Sequence, residues 1–579
     1  MTLGPTRSTV AYFSMEICLE QAIPTYSGGL GVLAGDTLRS AADLGVPLVA
    51  VTLLHRKGYF TQHLDATGHQ TESPVFWKPE EVLEPVDARI IVNIEGRDVH
   101  VRAWKYAVKG VRGHEVPVFL LDTMLDENSE HDRGLTDYLY GGDEYYRLCQ
   151  EIVLGMGGAA MLQQLRYDAG VIYHLNEGHS ALLTLQLLER QLDGRQHFEL
   201  EDADLESVRQ RCVFTTHTPV PAGHDKFPLE MVRRVLGDER VALLEGCGGI
   251  YEGMLNMTHL ALHLTRFVNG VAMRHRDVSR TMFPDYPINS ITNGVHATTW
   301  ASPAFAALFD RRIPEWRRDN LYLRYAVGIP LQEIRDAHLE TKTALLEEVQ
   351  TRTGVKLDPS LLTIGFARRA TPYKRADLIF TDVERLATIA RKVGKLQIIF
   401  GGKAHPHDGG GKELIRRIFA ADERLKGLVE VVYLENYEMA LAAKMVSGVD
   451  LWLNNPMKPL EASGTSGMKA AINGVPSFSV LDGWWVEGHV EGVTGWSIGG
   501  PDAETDPSAD ALDLYIKLER VILPLFYGLP FAYAEVMRAA IALNGSFFNT
   551  QRMVRQYVHN AYFPDTLPSD VRIEETALW

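Results

Sequence analysis

The sequence predicts an α/β protein built on two doubly wound sheets in two large lobes, a layout that suits a cleft. Three observations carry this. Short apolar runs rich in β-branched residues alternate with longer segments of helical periodicity, a charged helical stretch divides those runs into two sets, and several runs end in polar residues. A chain of 579 residues exceeds one ordinary core and suits two large lobes.

The first set of expected strands comprises VPLVAVTLL from Val46, VPVFLLD from Val116, VIYHLN from Val171 and CVFTTHT from Cys212, with a helix over Glu144 to Leu165 among them. The last two runs end at Asn176, Glu177, His179, His217 and Thr218. In open α/β sheets ligands bind beyond the carboxyl ends of strands, so these residues fall where a site would lie. Residues 300–357 carry a charged helical pattern and read as the connection between lobes. The second set is LLTIGFA from Leu361, LQIIFGG from Leu396, VEVVYLEN from Val429, VDLWLNN from Val449 and PSFSVLD from Pro476. GGPDAETDPSAD over 499–510 reads as a surface loop, as does GGKAHPHDGGGK from Gly401, which lacks the GK[ST] ending of a nucleotide-binding loop.

Composition is that of a globular chain: 46% hydrophobic, 23% charged and 9% aromatic. A formal charge of -16 argues against a nucleic-acid or anionic-membrane binder, so any phosphate chemistry needs a local basic pocket. The cysteines, Cys18, Cys149, Cys212 and Cys247, are scattered and form no CxxC pair, so neither a disulfide framework nor a thiolate metal site is expected. The start lacks the apolar core of a signal peptide and no run is long enough to span a membrane, which predicts a cytoplasmic protein.

The sharpest motif is EASGTSGMKAAING, Glu461 to Gly474, where small residues lead into a helix whose first turn carries Lys469. Free N–H groups at a helix start suit a phosphate, and a neighbouring lysine can form a Schiff base with an aldehyde cofactor that carries one. Pyridoxal phosphate meets both conditions; the plain alternative is a glycine turn before a helix with a surface lysine. FARRATPYKRAD gathers Arg368, Arg369, Lys374 and Arg375 past a strand end, either a phosphate pocket or a solvated charge run. YSGGLGVLAGD offers Gly28, Gly29 and Gly31 as an anion-facing loop or a simple turn. NEGH and THTPVPAGHD supply Glu177, His179 and His217, suited to sugar hydroxyls or to structural hydrogen bonds.

Taken in order, the blocks YFSMEI, GGLGVLAGD, HLNEGH, TTHTPVPAGHD, VNGVAMRH, TNGVHATTW, FARRATPYKRAD, IIFGGKAHP, LENYEMALA and EASGTSGMKAAING with LDGWW resemble the α-glucan phosphorylases over nearly the whole chain. The resemblance implies the B-type glycosyltransferase architecture, two Rossmann-like domains facing a central cleft: a glucan-side lobe over 1–299, the connection over 300–357, a phosphate-side lobe over 358–545, and a final helix and tail over 546–579 returning to the first lobe. It implies that Lys469 holds pyridoxal phosphate as an imine, with Thr465, Gly467, Arg368 and Gly29 near the cofactor. Arg369 and Lys374 then match substrate-phosphate residues, with Tyr373 nearby and His217 assisting catalysis. Glu461, Ala462, Ser463, Gly464, Asn269, Glu177 and His179 match the sugar pocket. The implied substrates are an α-1,4-glucan and inorganic phosphate, giving glucose 1-phosphate, and a homodimer is typical of such proteins. Ser466-Gly467 departs from the family's more familiar Gly-Asn pair, and Arg368 replaces a common lysine. The competing readings are a nucleotide-sugar glucosyltransferase of the same architecture, which Lys469 disfavours, and a glycan-binding protein without turnover.

Overall fold

The computed structural model describes residues 9–192, 200–500 and 506–564. Among these, two large sheets dominate, one of nine strands and one of six. In the six-stranded sheet every pairing is parallel, and strands such as Leu362–Ala367 and Leu396–Gly401 are buried along their whole length, which is why they read as unbroken apolar runs. Counted along the chain, its strands stand in the spatial order 3-2-1-4-5-6, so the order reverses between Leu362–Ala367 and Leu451–Asn454. The parallel part of the larger sheet follows the same scheme, with its reversal between Val10–Phe13 and Ile172–Asn176. The fold is therefore mixed α/β with one parallel sheet and one that is parallel except at one edge, as the alternation of runs predicts.

Every expected strand forms, but several were not legible. Glu84–Ile94 and Arg97–Lys109 make a long antiparallel hairpin on the edge of the first sheet, closed by Glu95 and Gly96 at φ 56° and 73°. Their outer faces carry charge, which hides the strand pattern behind polar residues. Phe267–Gly270 and Gly495–Ile498 are four-residue strands outside the apolar runs singled out above. The helix over Glu144 to Leu165 passes through a π-helical stretch at Val153–Gly157.

Two loop expectations need correction. Helix Gly409–Leu425 begins inside GGKAHPHDGGGK, capped by the Asp408 carboxylate on the Gly411 N–H at 2.8 Å, and Gly411 is required because a Cβ there would sit 2.1 Å from the Ala370 carbonyl. In the 499–510 segment, residues 501–505 lie outside the described residues, while helix Pro507–Lys517 starts within it and buries Asp510 against Arg375 at 2.7 Å.

Helix Leu331–Thr353 buries Ile334, Ala337, His338, Thr341, Lys342, Leu345 and Val349, a 3.6-residue stripe that includes two polar side chains with nitrogen donors, His338 and Lys342. Asp450 at the root of the fourth strand accounts for both, pairing with Lys342 at 2.6 Å and His338 at 2.8 Å. Near the carboxyl terminus, helix Thr550–Tyr557 packs on helix Gly29–Leu44, and Met553, Val554, Tyr557 and Tyr562 join the core on one face of the first sheet. A short hairpin, Thr61–Leu64 with Gln70–Ser73, crosses to the second sheet's side, where the Gln70 side chain exchanges hydrogen bonds with the Ala404 backbone at 2.8 and 3.0 Å. All four cysteines are buried and unpaired. Among the described residues no helix is long and apolar enough to cross a membrane.

Candidate active site

The second sheet's reversal point opens a crevice at the strand ends, the usual ligand position in such sheets. Arg368 and Arg369 leave the first strand there, and Asn454 and Asn455 leave the fourth. Arg368 donates to the Asn454 side-chain oxygen and pairs with Glu461 at 2.5 Å, and Lys374 meets the same carboxylate at 2.7 Å. Burial alone would raise the Glu461 pKa, but these two cations overcome it and hold it down to about 2. Lys374 also sits 4.5 Å above the Tyr373 ring. Arg375 is structural: besides Asp510 it binds the carbonyls of Asn455 at 2.7 Å and Pro456 at 2.9 Å. Of the four cations in FARRATPYKRAD, only Arg369 has no ion-pair partner among the described residues. It remains open to the crevice, with Tyr59, Tyr140, the Glu16 carboxylate and Tyr373 around it.

Glu461 opens a turn braced by the LDGWW segment. Asp482 accepts the Glu461 N–H at 2.9 Å, and the Trp484 N–H donates to the Ser463 carbonyl at 2.9 Å. Gly464 sits at φ 82°, and helix Ser466–Ile472 starts after Thr465, whose side chain caps nothing. Gly467 is a packing glycine, since a Cβ there would lie 2.8 Å from the Trp484 ring and 2.9 Å from the Ser477 hydroxyl. Ser466, the departure noted above, accepts the Trp452 indole N–H at 3.1 Å. Ala462 is half-buried, and the Ser463 hydroxyl is buried without a hydrogen-bond partner among the described residues.

Lys469 is buried, and its ammonium lies 3.9 Å from the Trp300 ring centroid with no hydrogen-bond or ion-pair partner among the described residues. Burial lowers its pKa to about 8, against the pull of the Asp36 carboxylate. Asp36 in turn anchors the Trp300 indole N–H at 2.7 Å. A buried amine that gives up its proton near neutrality can attack a carbonyl. These residues fit pyridoxal phosphate: Lys469 would supply the amine and the uncapped Thr465 a hydroxyl donor.

The first sheet presents its own crevice. Glu177 occupies φ 79°, and its carboxylate accepts the N–H groups of His217 at 2.7 Å and Gly178 at 3.1 Å and the Thr218 hydroxyl at 3.0 Å. Burial raises Glu177 to about 7 even so. His217 Nε2 is 2.8 Å from the Asn176 side-chain oxygen, and burial depresses the imidazole well below its usual range, leaving it neutral. Facing an acceptor, the neutral ring carries its proton on Nε2. His179 and Asn269 are engaged inside the protein: the His179 ring accepts the Met15 N–H at 2.9 Å, and Asn269 bonds Thr215, the Gly270 carbonyl and the Tyr557 hydroxyl. Gly29 faces open space, whereas its neighbour Gly28 abuts Arg369 and so joins the two crevices: a Cβ there would lie 2.9 Å from the guanidinium.

Sequence reasoning missed Glu16, Tyr140, Asp482 and Trp300. Glu16 and Asp482 follow strand ends, so the strand-end rule applied to YFSMEI and LDGWW would have found them. Tyr140 and Trp300 arrive from distant segments and left no local signal.

The fold and the cations gathered beyond the strand ends of its second sheet make this an α/β protein with a cationic reversal point. The particular family follows from comparison with known proteins. The carbohydrate phosphorylase model matches residues 239–493. The chain is 41% identical to maltodextrin phosphorylase of Thermococcus litoralis, the alignment covering 96% of this chain and 70% of that protein. It is 37% identical to glycogen phosphorylase of Mycobacterium tuberculosis, covering 96% and 71%, and 36% identical to that of Aquifex aeolicus, covering 96% and 86%. The chain belongs to the carbohydrate phosphorylase family.

Proposed function

We propose that this protein is an α-1,4-glucan phosphorylase, a hexosyltransferase that moves the non-reducing terminal glucose of a glucan to inorganic phosphate and forms glucose 1-phosphate. The two sheets are the cores of two lobes in the B-type glycosyltransferase arrangement, over 1–299 and 358–545, with 300–357 as connection and 546–579 returning to the first lobe. Lys469 would hold pyridoxal phosphate, whose phosphate group would supply acid–base chemistry to the reaction.

The chain's own residues do the rest. Arg369 binds the incoming phosphate, and Lys374, screened by Glu461, adds positive charge. Glu461, Ala462, Ser463 and Gly464 form a braced turn that presents carboxylate, hydroxyl and backbone groups to the sugar. The segment at His217, fixed through its N–H by Glu177, offers its backbone carbonyl to a positive centre developing at the anomeric carbon. The substrate phosphate gives a proton to the glycosidic oxygen as the C1–O bond breaks. One of its oxygens then bonds C1 from the same face, so configuration is retained and the shortened glucan departs with a hydroxyl. Ordinary retaining glycosidases need two carboxylates for this work; here phosphate does it.

The observation that carries this reading is the buried, partnerless Lys469 amine. Borohydride reduction followed by peptide mapping is expected to find a phosphopyridoxyl group on Lys469, alongside release of glucose 1-phosphate from maltodextrin and phosphate. An unmodified Lys469 after incubation with pyridoxal phosphate would refute it.

A further inference from the structure

We propose that Glu16 is a positioning residue for substrate phosphate, holding the glycine loop against Arg369 while leaving that guanidinium free. The inference rests on the phosphorylase reading of the site. Glu16 follows the strand Val10–Phe13 at the first sheet's reversal point and is 1% exposed. One carboxylate oxygen accepts the N–H groups of Ser27 and Gly28, both at 3.0 Å, and the other accepts the Tyr140 hydroxyl at 3.1 Å.

Two glycines make this arrangement possible, one on each side of the loop. A Cβ at Gly31 would stand 2.4 Å from Glu16 Cγ and 2.5 Å from its Oε1. At Gly28 a Cβ would stand 2.9 Å from Arg369 Nη2. The loop backbone thus runs between a buried carboxylate and a guanidinium. Left to itself such a carboxylate would pair with the arginine, since charge-assisted bonds between these groups are strong. Three donors occupy Glu16 instead, and Arg369 keeps its own donors for an incoming anion. Glu16 therefore acts through the loop and through Arg369 without touching substrate.

The test is steady-state phosphorolysis of maltodextrin, varying inorganic phosphate and glucan separately, for wild type, Glu16→Ala, Glu16→Gln and Tyr140→Phe. Glu16→Ala is expected to raise the KM for phosphate about tenfold, the scale of losing hydrogen bonds to a charged group, with the KM for glucan and the bound cofactor unchanged. Glu16→Gln keeps an oxygen for both backbone N–H groups and is expected to recover the phosphate KM to within about threefold of wild type. A folded Glu16→Ala protein with unaltered phosphate KM would overturn the proposal, as would a Glu16→Gln protein as impaired as the alanine variant. If Glu16→Ala does not fold, Tyr140→Phe decides: a phosphate KM raised about threefold supports the role, and an unchanged one overturns it. Wild-type protein that releases no glucose 1-phosphate would instead overturn the phosphorylase reading beneath it.

Discussion

The two reversal points share one topology and carry opposite chemistry. At the first, carboxylates at Glu16 and Glu177 are saturated by backbone N–H groups and hydroxyls, and the imidazoles of His179 and His217 are neutral and hydrogen-bonded. At the second, Arg368 and Lys374 share one carboxylate, Glu461, and among the described residues Arg369 and Lys469 have no ion-pair partner. Strand order creates a crevice in both cases; the residues beyond the strands decide what it receives. Where every polar group is engaged the backbone is fixed in place, and where cations outnumber carboxylates the crevice can take an anion.

That contrast can be broken or sharpened by substitution, because groups engaged within the protein should matter for stability and free groups for turnover. The largest effect is expected from Lys469→Ala, which removes the amine and should lower kcat by about a thousandfold or more while leaving thermal stability near wild type, read by phosphorolysis assay and calorimetry. Next comes Glu177→Gln. Burial raises the carboxyl from 4.5 to about 7, so wild type loses stability as pH climbs through that window, and the glutamine variant should not. Denaturant melts from pH 4 to pH 8 should show the wild type falling by up to about 3 kcal/mol relative to the variant. Arg369→Gln should then raise the phosphate KM about a hundredfold with little change in melting temperature, since no ion pair is lost. The smallest effect belongs to Tyr557→Phe, which removes one hydroxyl from the Thr215 and Asn269 network and should cost about 1 kcal/mol of stability with phosphate KM unchanged.

Several site residues were visible in the sequence because small residues and charges cluster visibly. EASGTSGMK announced a turn into a helix with a lysine, and FARRATPYKRAD announced a cation cluster after a strand. Which of those cations is free was not visible: Arg375 reaches a carboxylate at Asp510, more than a hundred positions away, and Lys374 and Arg368 reach Glu461. The edge hairpin Glu84–Ile94 with Arg97–Lys109 escaped notice because charged residues on an exposed face interrupt the apolar run that marks a buried strand.

By itself the sequence determined the alternation of buried strands and amphipathic helices, and hence two largely parallel sheets, because periodicity and β-branching act over a few neighbouring residues. It also determined where backbone can approach closely, because glycines at 28, 31, 464 and 467 are local facts. Only the tertiary structure decided which ionisable groups stay unpaired. Coulombic and hydrogen-bond partners act over a few ångströms in space regardless of separation along the chain, and so Lys469 beside Trp300 and Arg369 beside Gly28 emerge only when the two halves meet.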